Sequence, residues 1–483
     1  MKNIETIVTK LKKDTNNNNE ITYRKKDVCH KLVYIIYNEP LTSSDKISDF
    51  IIRSLDRIDH LYPNSNKLEE KIFNEISNFK IKKITTYEDI CYYLHYGFTI
   101  LLIENSTTYF ALETKTNLAR SISTPQTESA LRGAMDSFVE DMQTNMGLIR
   151  RRIKTNNLWV KSIEVGKYTN TKVNIIYLNN VCNKNTVEQV EKRISNINID
   201  GIINCGTIKN LIEKENKSIF PTMLSTERPD RACQALLEGR IVIMTDCCQF
   251  ALILPIVIND LLLSTEDSYG KSINISLTRI IRYFALFITL FTPGVYIAMT
   301  TFNQEMLPTQ LLVSFASQRS SVPFPAFIEA LIMMLSFEIL REGDLRGPTF
   351  TTSALSTVGA IILGDAAVEA GIVSPIMVIV LAITSLSSLL FTEPEMINGI
   401  RWYRLLFMLG GTFLGIIGVV LSFIYFIIKL TSTNSFGVPY LTPFSPTSLI
   451  GLKNSIIKFP VKYLNKREPI ISNNTIKYRR KSQ

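Results

Sequence analysis

The distribution of charge along the chain constrains its fold more than any single motif does. Residues 1–240 are dense in Lys, Asn, Asp and Glu, whereas residues 241–430 are mostly apolar. Leu405–Ile428 is an uncharged run of 24 residues, and Tyr283–Phe302 is one of 20, interrupted by Pro293-Gly294. A helix of about 20 apolar residues spans roughly 30 Å of hydrocarbon. The whole-chain figures, a charge of +10 over 483 residues and a mean hydropathy of +0.13, look ordinary only because they average two unlike halves. The split excludes a simple soluble enzyme, a disordered or collagenous chain, and a chain embedded in a membrane throughout. The expected fold class is multi-domain: two cytoplasmic α/β subdomains followed by an α-helical transmembrane domain.

Residues 1–19 contain an Asn run at 16–19 and no apolar core of the kind an export signal carries. They are expected as a flexible leader, with the first half staying in the cytoplasm. Residues 20–124 read as a first α/β subdomain. Lys31–Tyr37 is rich in strand formers, Ser44–Ile58 carries a helical apolar stripe, and Phe98–Ile103 and Thr108–Leu112 are strands joined by a turn. Residues 125–157 form a helix-compatible connector, interrupted at Gly133 and ending in Arg150, Arg151 and Arg152. That triplet has two readings: a solvated or acid-paired cationic face, or a contact with a neighbouring subunit or anionic lipid headgroups. Residues 158–240 read as a second α/β subdomain, with strands at Asn170–Asn179 and Asp200–Cys205 and helices at Thr186–Ile197 and around Leu211–Glu215. No internal repeat is convincing.

The chemistry-bearing residues are sparse. The seven cysteines include no Cys-x-x-Cys pair, which argues against a zinc site or a disulfide framework. The only histidines, His30, His60 and His95, lie in the first hundred residues, which disfavours a His-rich metal site. Phosphate-cradling loops, the hydrolase elbow and H-E-x-x-H are missing. No enzyme activity, cofactor or metal is expected. Nor is nucleic-acid binding, because the positive charge gathers in the connector and the tail.

The membrane domain is expected over 241–430, with spans near 283–302, 324–340, 355–373, 375–391 and 405–428, followed by a basic cytoplasmic tail over 431–483. A carboxylate at membrane depth costs roughly 2.5–3.5 kcal/mol on insertion scales and must face protein or water. Glu329 and Glu338 can pair with Arg341 or Arg346. In Leu355–Val373, the residues Val358, Ile362, Asp365, Glu369 and Ile372 share one helical face, and Gly359, Gly364 and Gly371 permit close helix approach. A ring of such helices would present apolar collars at Val358 and Ile362, with acidic rings at Asp365 and Glu369 beyond them: a gate and a cation filter. The alternative is a packed helix whose acids are neutral or paired. Residues 429–483 hold ten Lys and Arg against one acid, Glu468, which places the tail in the cytoplasm; Arg279 and Arg282 say the same of the N-terminal domain. Both ends inside requires an even number of crossings, yet five apolar segments are visible. Leu355–Val373 is then re-entrant, or Ile241–Leu263 crosses despite Asp246, Asn259 and Asp260, or the charge rule fails.

Several motifs point further. Pro125, Thr127, Glu128, Arg132 and Gly133 are followed by Phe138-Val139-Glu140, Thr144-Asn145 and Ile149–Ile153. Phe220-Pro221 precedes Thr226-Glu227-Arg228-Pro229-Asp230 and Leu236–Arg240. Then come Arg279-x-x-Arg282 with Pro293-x-x-Tyr296, Gln304-Glu305-x-x-Pro308, and Val322–Pro325 with Glu329. Val358-Gly359 with Gly364 and Ala366–Val368, and Val438-Pro439-Tyr440-Leu441-x-Pro443, complete the set. Collinear from about residue 20 to 450, these stretches resemble the A subunits of bacterial spore germinant receptors, the GerA family. The departures are Ala134-Met135-Asp136 in place of a proline and a charged pair, Cys247-Cys248 in a loop usually reading V-D-G-S-P, Asn303 at a position commonly His, and Asp365 at one usually Gln.

The resemblance implies residence in the spore inner membrane and assembly into a homo-oligomeric ring, a pentamer. It implies a transporter-like B subunit that senses the nutrient, a lipoprotein C subunit, and contact with membrane lipid. The activity it implies is a ligand-gated cation channel that triggers germination. It marks Glu128, Arg132, Glu140, Asn145, Arg150, Arg151, Arg152, Glu227, Arg228 and Asp230 as candidates for subunit or partner interfaces, and Glu305 and Glu329 as polar residues of the membrane domain, to which the apolar run around it adds Glu338. The stage V sporulation homologue that amplifies germination shares this architecture. A secondary transporter and a non-conducting scaffold are the readings from other classes.

Overall fold

The computed structural model describes residues 4–62, 68–76, 80–106, 108–116, 124–125, 127–128, 133–213, 218–346, 363–463 and 465–473. Arg132, Val358 and Ile362 lie outside the described residues.

The expected loose leader is instead helix α1 (Ile4–Asp14), with Ile4, Ile7, Val8 and Leu11 buried at i, i+3, i+4, i+7. That stripe is enough to dock one short helix on a sheet. β1 (Ile21–Val28) and β2 (Lys31–Asn38) form a hairpin across Cys29 and His30, both at positive φ, as a two-residue turn requires. Next come α2 (Ser44–Lys46), a π-helical stretch (Ile47–Ile52), α3 (Arg53–Leu61), α4 (Leu68–Glu75), β3 (Ile81–Ile84), α5 (Tyr87–His95), β4 (Phe98–Ile103) and β5 (Tyr109–Glu113). The sheet is antiparallel throughout, in the order β1-β2-β4-β5-β3. α1 and α5 cover one face and α3 and α4 the other, so every residue of β4 is buried.

The connector is less helical than its composition suggests. Residues 134–139 have no regular structure, and α6 (Met142–Arg152) begins only where the Asp141 side chain accepts from the Thr144 N–H at 2.7 Å. The second unit follows as β6 (Leu158–Val165), β7 (Thr171–Leu178), α7 (Lys184–Ser195), α8 (Cys205–Glu213), β8 (Leu224–Thr226), α9 (Pro229–Leu237), β9 (Ile241–Thr245) and β10 (Ala251–Leu254). Its sheet runs β6-β7-β9-β10-β8, again antiparallel. With the continuous helix from α2 through the π stretch to α3 counted as one, and α1 as an addition, both units share the order ββααβαββ and the same strand sequence across the sheet: a topological repeat without a visible sequence repeat.

Two expectations change here. Asp200–Cys205 is not a strand. Its backbone is held by side chains instead, the Ile202 N–H donating to Thr169 Oγ1 and Thr171 Oγ1 donating to the Ile202 carbonyl, and Cys205 opens α8. Ile241–Leu263 is no crossing: it holds β9, β10 and α10 (Ile258–Leu262), and both strands are buried end to end. A boundary at 240/241 would cut the second sheet in two.

The rest is mainly helical. α11 (Ser272–Thr301) runs unbroken through Pro293 for 30 residues, about 45 Å. α12 (Thr309–Arg319), α13 (Ala326–Arg346), α14 (residues 363–369), α15 (Pro375–Ser388) and α16 (Pro394–Ser432) follow. α16 is not one span but a hairpin. Gly415, at φ 63° and ψ −143°, turns the chain back, and Tyr403 and Phe426, on opposite arms, have ring centroids 4.8 Å apart. One continuous core joins a face of the second sheet, α6 and α9 to α11 and both arms of α16.

The tail does not hang free. The Tyr440 hydroxyl donates to the Pro221 carbonyl at 2.8 Å, and Ser435 Oγ accepts from the Ile256 N–H and donates to the Thr222 carbonyl. Residue Ser472 forms a bridge to Cys182. The segment 433–473 is thus docked on the second α/β unit.

Candidate functional site

The helical part has a near end, at the α/β units, and a far end. At the near end, α11 is fixed by a knot of charge. Asp267 accepts from Arg279 Nε at 3.0 Å and from Arg282 Nη1 at 3.0 and 3.1 Å. Arg279 also donates to the Asn454 and Ser455 carbonyls, and Lys458 Nζ donates to the Asp267 carbonyl. α16 starts beside the same unit, with Arg231 Nη1 2.6 Å from Glu393 and Lys209 Nζ 2.5 Å from Glu395. At the far end, Asn303 Oδ1 accepts from the Ile416 N–H at 3.0 Å, just past the Gly415 turn.

α14 and α15 pack as neighbours: a Cβ on Gly364 would lie 3.7 Å from Val378. Asp365, Glu369 and Ile372 are all exposed in the single chain. Neither carboxylate has an ion-pair or hydrogen-bond partner among the described residues. Glu329 differs: it is 0% exposed, and its Oε2 accepts from the Ser374 N–H at 2.9 Å and Oγ at 2.8 Å, while Arg319 Nε lies 3.5 Å from its Oε1. The expected pairing of Glu329 with Arg341 or Arg346 is therefore corrected to Ser374 and Arg319. Glu338 does meet Arg341, at 2.5 Å, and also Arg401. Glu305 is exposed at the far end, in the short turn Gln304–Met306.

The motif residues of the connector form a network inside the chain. Glu227 Oε1 accepts from the Thr127 N–H, the Thr127 hydroxyl and the Glu128 N–H at 2.6–2.8 Å. Arg228 holds Asp230 bidentately at 2.9 and 3.1 Å and donates to the carbonyls of Glu128 and Ala134. Burial opposes the charge on Asp230, but Arg228 and the Tyr269 hydroxyl outweigh it and hold its carboxyl below the usual range. Burial pushes the Glu128 carboxyl up. The Asn145 side chain brackets Val139, accepting from its N–H and donating to its carbonyl. Arg150 pairs with Glu20 at 2.5 Å and Arg152 with Asp136, while Arg151 stays exposed. The Glu140 carbonyl accepts from the Cys247 N–H.

These motifs decide the kinship. Residues 9–470 match the family model described as Bacillus/Clostridium GerA spore germination protein. The chain belongs to the GerA family. It is 36% identical to spore germination protein KA of Bacillus subtilis (strain 168) over 94% of this chain and 84% of that protein. It is 34% identical to spore germination protein A1 of the same organism over 95% and 94%. Against the crystal structure of the N-terminal domain of the A subunit of the Bacillus megaterium spore germinant receptor GerK3, it is 28% identical over 51% of this chain and 92% of that one, with a TM-score of 0.41. At that score, the architecture above rests on this chain's own strands and contacts.

The family resemblance read from the motifs is thus borne out. The positions it marked as interface candidates are largely occupied within this chain: Arg150 and Arg228 are each 1% exposed, and Asn145 and Glu227 are buried with them. The acid-paired reading holds for Arg150 and Arg152, and Arg151 alone of the triplet faces outward. Sequence reasoning missed Asp267, Glu20 and Asp136, because an acid's partner can lie anywhere along the chain. It also missed Gly415, although the cluster Gly410, Gly411, Gly415 and Gly418 carried the signal for a close helical hairpin.

Proposed function

We propose that this chain is the A-type subunit of a nutrient germinant receptor in the spore inner membrane. The helices cross the bilayer, and the α/β units and docked tail lie on the cytoplasmic side. Copies assemble into a ring, a pentamer, in which the segment 355–373 lines a cation path. A transporter-like B subunit and a lipoprotein C subunit complete the receptor and couple nutrient to opening. No catalysis, cofactor or metal enters the proposal. GerA membership supports it, as does Ser272–Thr301, a helix long and apolar enough to span.

The observation that carries the channel reading is the pair Asp365 and Glu369: exposed, one turn apart, and unpaired among the described residues. Against lipid, each would cost roughly 2.5–3.5 kcal/mol, so the face they share belongs against water or another copy. A water-filled axis lined by such acids favours cations. The test is potassium flux from liposomes holding the full receptor, with reversal potentials measured under a salt gradient. Asp365→Asn and Glu369→Ala are each expected to lower cation-over-anion selectivity, and Val358→Ala to leak without nutrient. Unchanged reversal potentials in both acidic variants would remove the filter, and an assembled receptor with no flux would make the chain a scaffold.

A further inference from the structure

Arg404 is 8% exposed, yet its guanidinium has no hydrogen-bond partner among the described residues, and its Nε is fully enclosed. On α16 it lies one turn from Arg401, and Arg401 shares the Glu338 carboxylate with Arg341 of α13. The Nε atoms of Arg341 and Arg401 are likewise enclosed and unbonded. Among the described residues, two guanidiniums share this one acid and a third lies a turn away, which leaves cationic charge and N–H donors unspent. A buried ionised group without a partner is costly, so the arrangement is incomplete without an added anion.

The position narrows the anion. Tyr403, between the two α16 arginines, stacks on Phe220 of the second α/β unit with ring centroids 5.4 Å apart. The cluster therefore lies where the helices leave that unit, and the uncharged stretch 405–428 lies beyond it. Trp402, one of only two tryptophans, is 65% exposed beside Arg401, as an interfacial aromatic would be. Leu335 and Ile339 on α13, which carries Glu338 and Arg341, are exposed too. An occupant must bring a multiply oxygenated anion to the arginines and apolar chains to the flank. Arginine forks fit phosphate oxygens bidentately.

We infer that Arg341, Arg401 and Arg404 bind the phosphate of an anionic phospholipid in the leaflet next to the α/β units, with Glu338 setting how much cationic charge the site presents. The inference rests on the membrane reading above.

Native mass spectrometry of the full chain in detergent, titrated with phosphatidylglycerol and in parallel with phosphatidylcholine, reads it directly. Wild type is expected to retain phosphatidylglycerol in preference, and Arg404→Gln to weaken that retention about fivefold, the worth of one cation at an anionic headgroup. Glu338→Gln is expected to strengthen it, a gain that misfolding cannot mimic. Equal retention by wild type and both variants overturns the site. So does equal retention of the two lipids with displacement by inorganic phosphate, which makes it a free-anion site. Loss of self-association in Arg404→Gln with lipid retention unchanged also overturns it, and makes the occupant a carboxylate of a second copy. Carbonate extraction of membranes, run on every variant, separates the two levels. A chain that extracts fails the membrane reading itself, while one that stays with the membrane but ignores lipid type fails only this site.

Discussion

At the scale of single residues, the charges that fasten the connector are each answered by an opposite one. Removing one partner of a buried ion pair strands the other, at a cost of about 3–5 kcal/mol. Arg150 with Glu20 and Arg228 with Asp230 therefore fasten the connector more firmly than their small number suggests. His95 shows the opposite solution, a titratable group kept neutral. It closes α5, is 4% exposed, bonds Asn156 Oδ1 through Nε2, and leaves Nδ1 without a partner among the described residues. Burial, with Arg150 nearby, lowers its pKa to about 4. The folded pKa lies below the unfolded value of about 6.5, so the stabilisation is complete above pH 6.5 and is lost as pH falls towards 4. The difference is worth on the order of 3 kcal/mol. Urea unfolding of the full chain in detergent should therefore weaken over that window, and His95→Gln should flatten the dependence. An identical pH slope in wild type and variant would place the acid sensitivity elsewhere.

At the scale of elements, glycines decide what hydropathy leaves open. At Gly415 an added Cβ would meet Asn303 Oδ1 at 2.5 Å and Phe302 Cβ at 2.9 Å, on a backbone that side-chain-bearing residues rarely adopt. Across the hairpin, a Cβ on Gly418 would sit 2.0 Å from the Gly410 carbonyl oxygen. Gly415→Ala should cost about 1–3 kcal/mol, seen as a lower thermal midpoint of the full chain in detergent. Gly343→Ala, in a helix with open space around it, should be neutral or slightly stabilising. Equal midpoints for the two variants would mean the bend is not under this constraint. The same contrast explains what was legible. The strands β2, β4, β5 and β7 announced themselves by composition. Ile241–Leu263 did not, because two strands buried end to end read as one apolar run, as a membrane helix does. Leu405–Ile428 read as one span because hydropathy counts apolar residues and is blind to a positive φ among them. Pro293-Gly294 read as a break, yet it lies against α16: a Cβ on Gly294 would fall 2.7 Å from the Phe407 carbonyl oxygen.

At the scale of the whole molecule, the fold brings the tail back to the unit from which the helices depart. The tail docks on the second α/β unit, and the knot at Asp267 ties that unit, α11 and the tail into one base. Neither contact could be read from the sequence, because each joins residues about 180 to 220 apart. The bend at Gly415 also bears on topology: α16 leaves the second α/β unit beside Arg231 and returns to it where Ser435 meets Thr222, so both its ends lie on one side of the molecule. An impermeant maleimide on sealed vesicles tests this. With exposed Cys247 replaced by serine, cysteines are placed singly at the exposed positions Tyr168, Tyr463 and Met306. Tyr168→Cys and Tyr463→Cys should label from one and the same side, and Met306→Cys, at the far end, only from the other. If Tyr463→Cys labelled from the side of Met306→Cys, α16 would have to run straight through. The tail could not then reach Pro221, and the hairpin itself would be overturned.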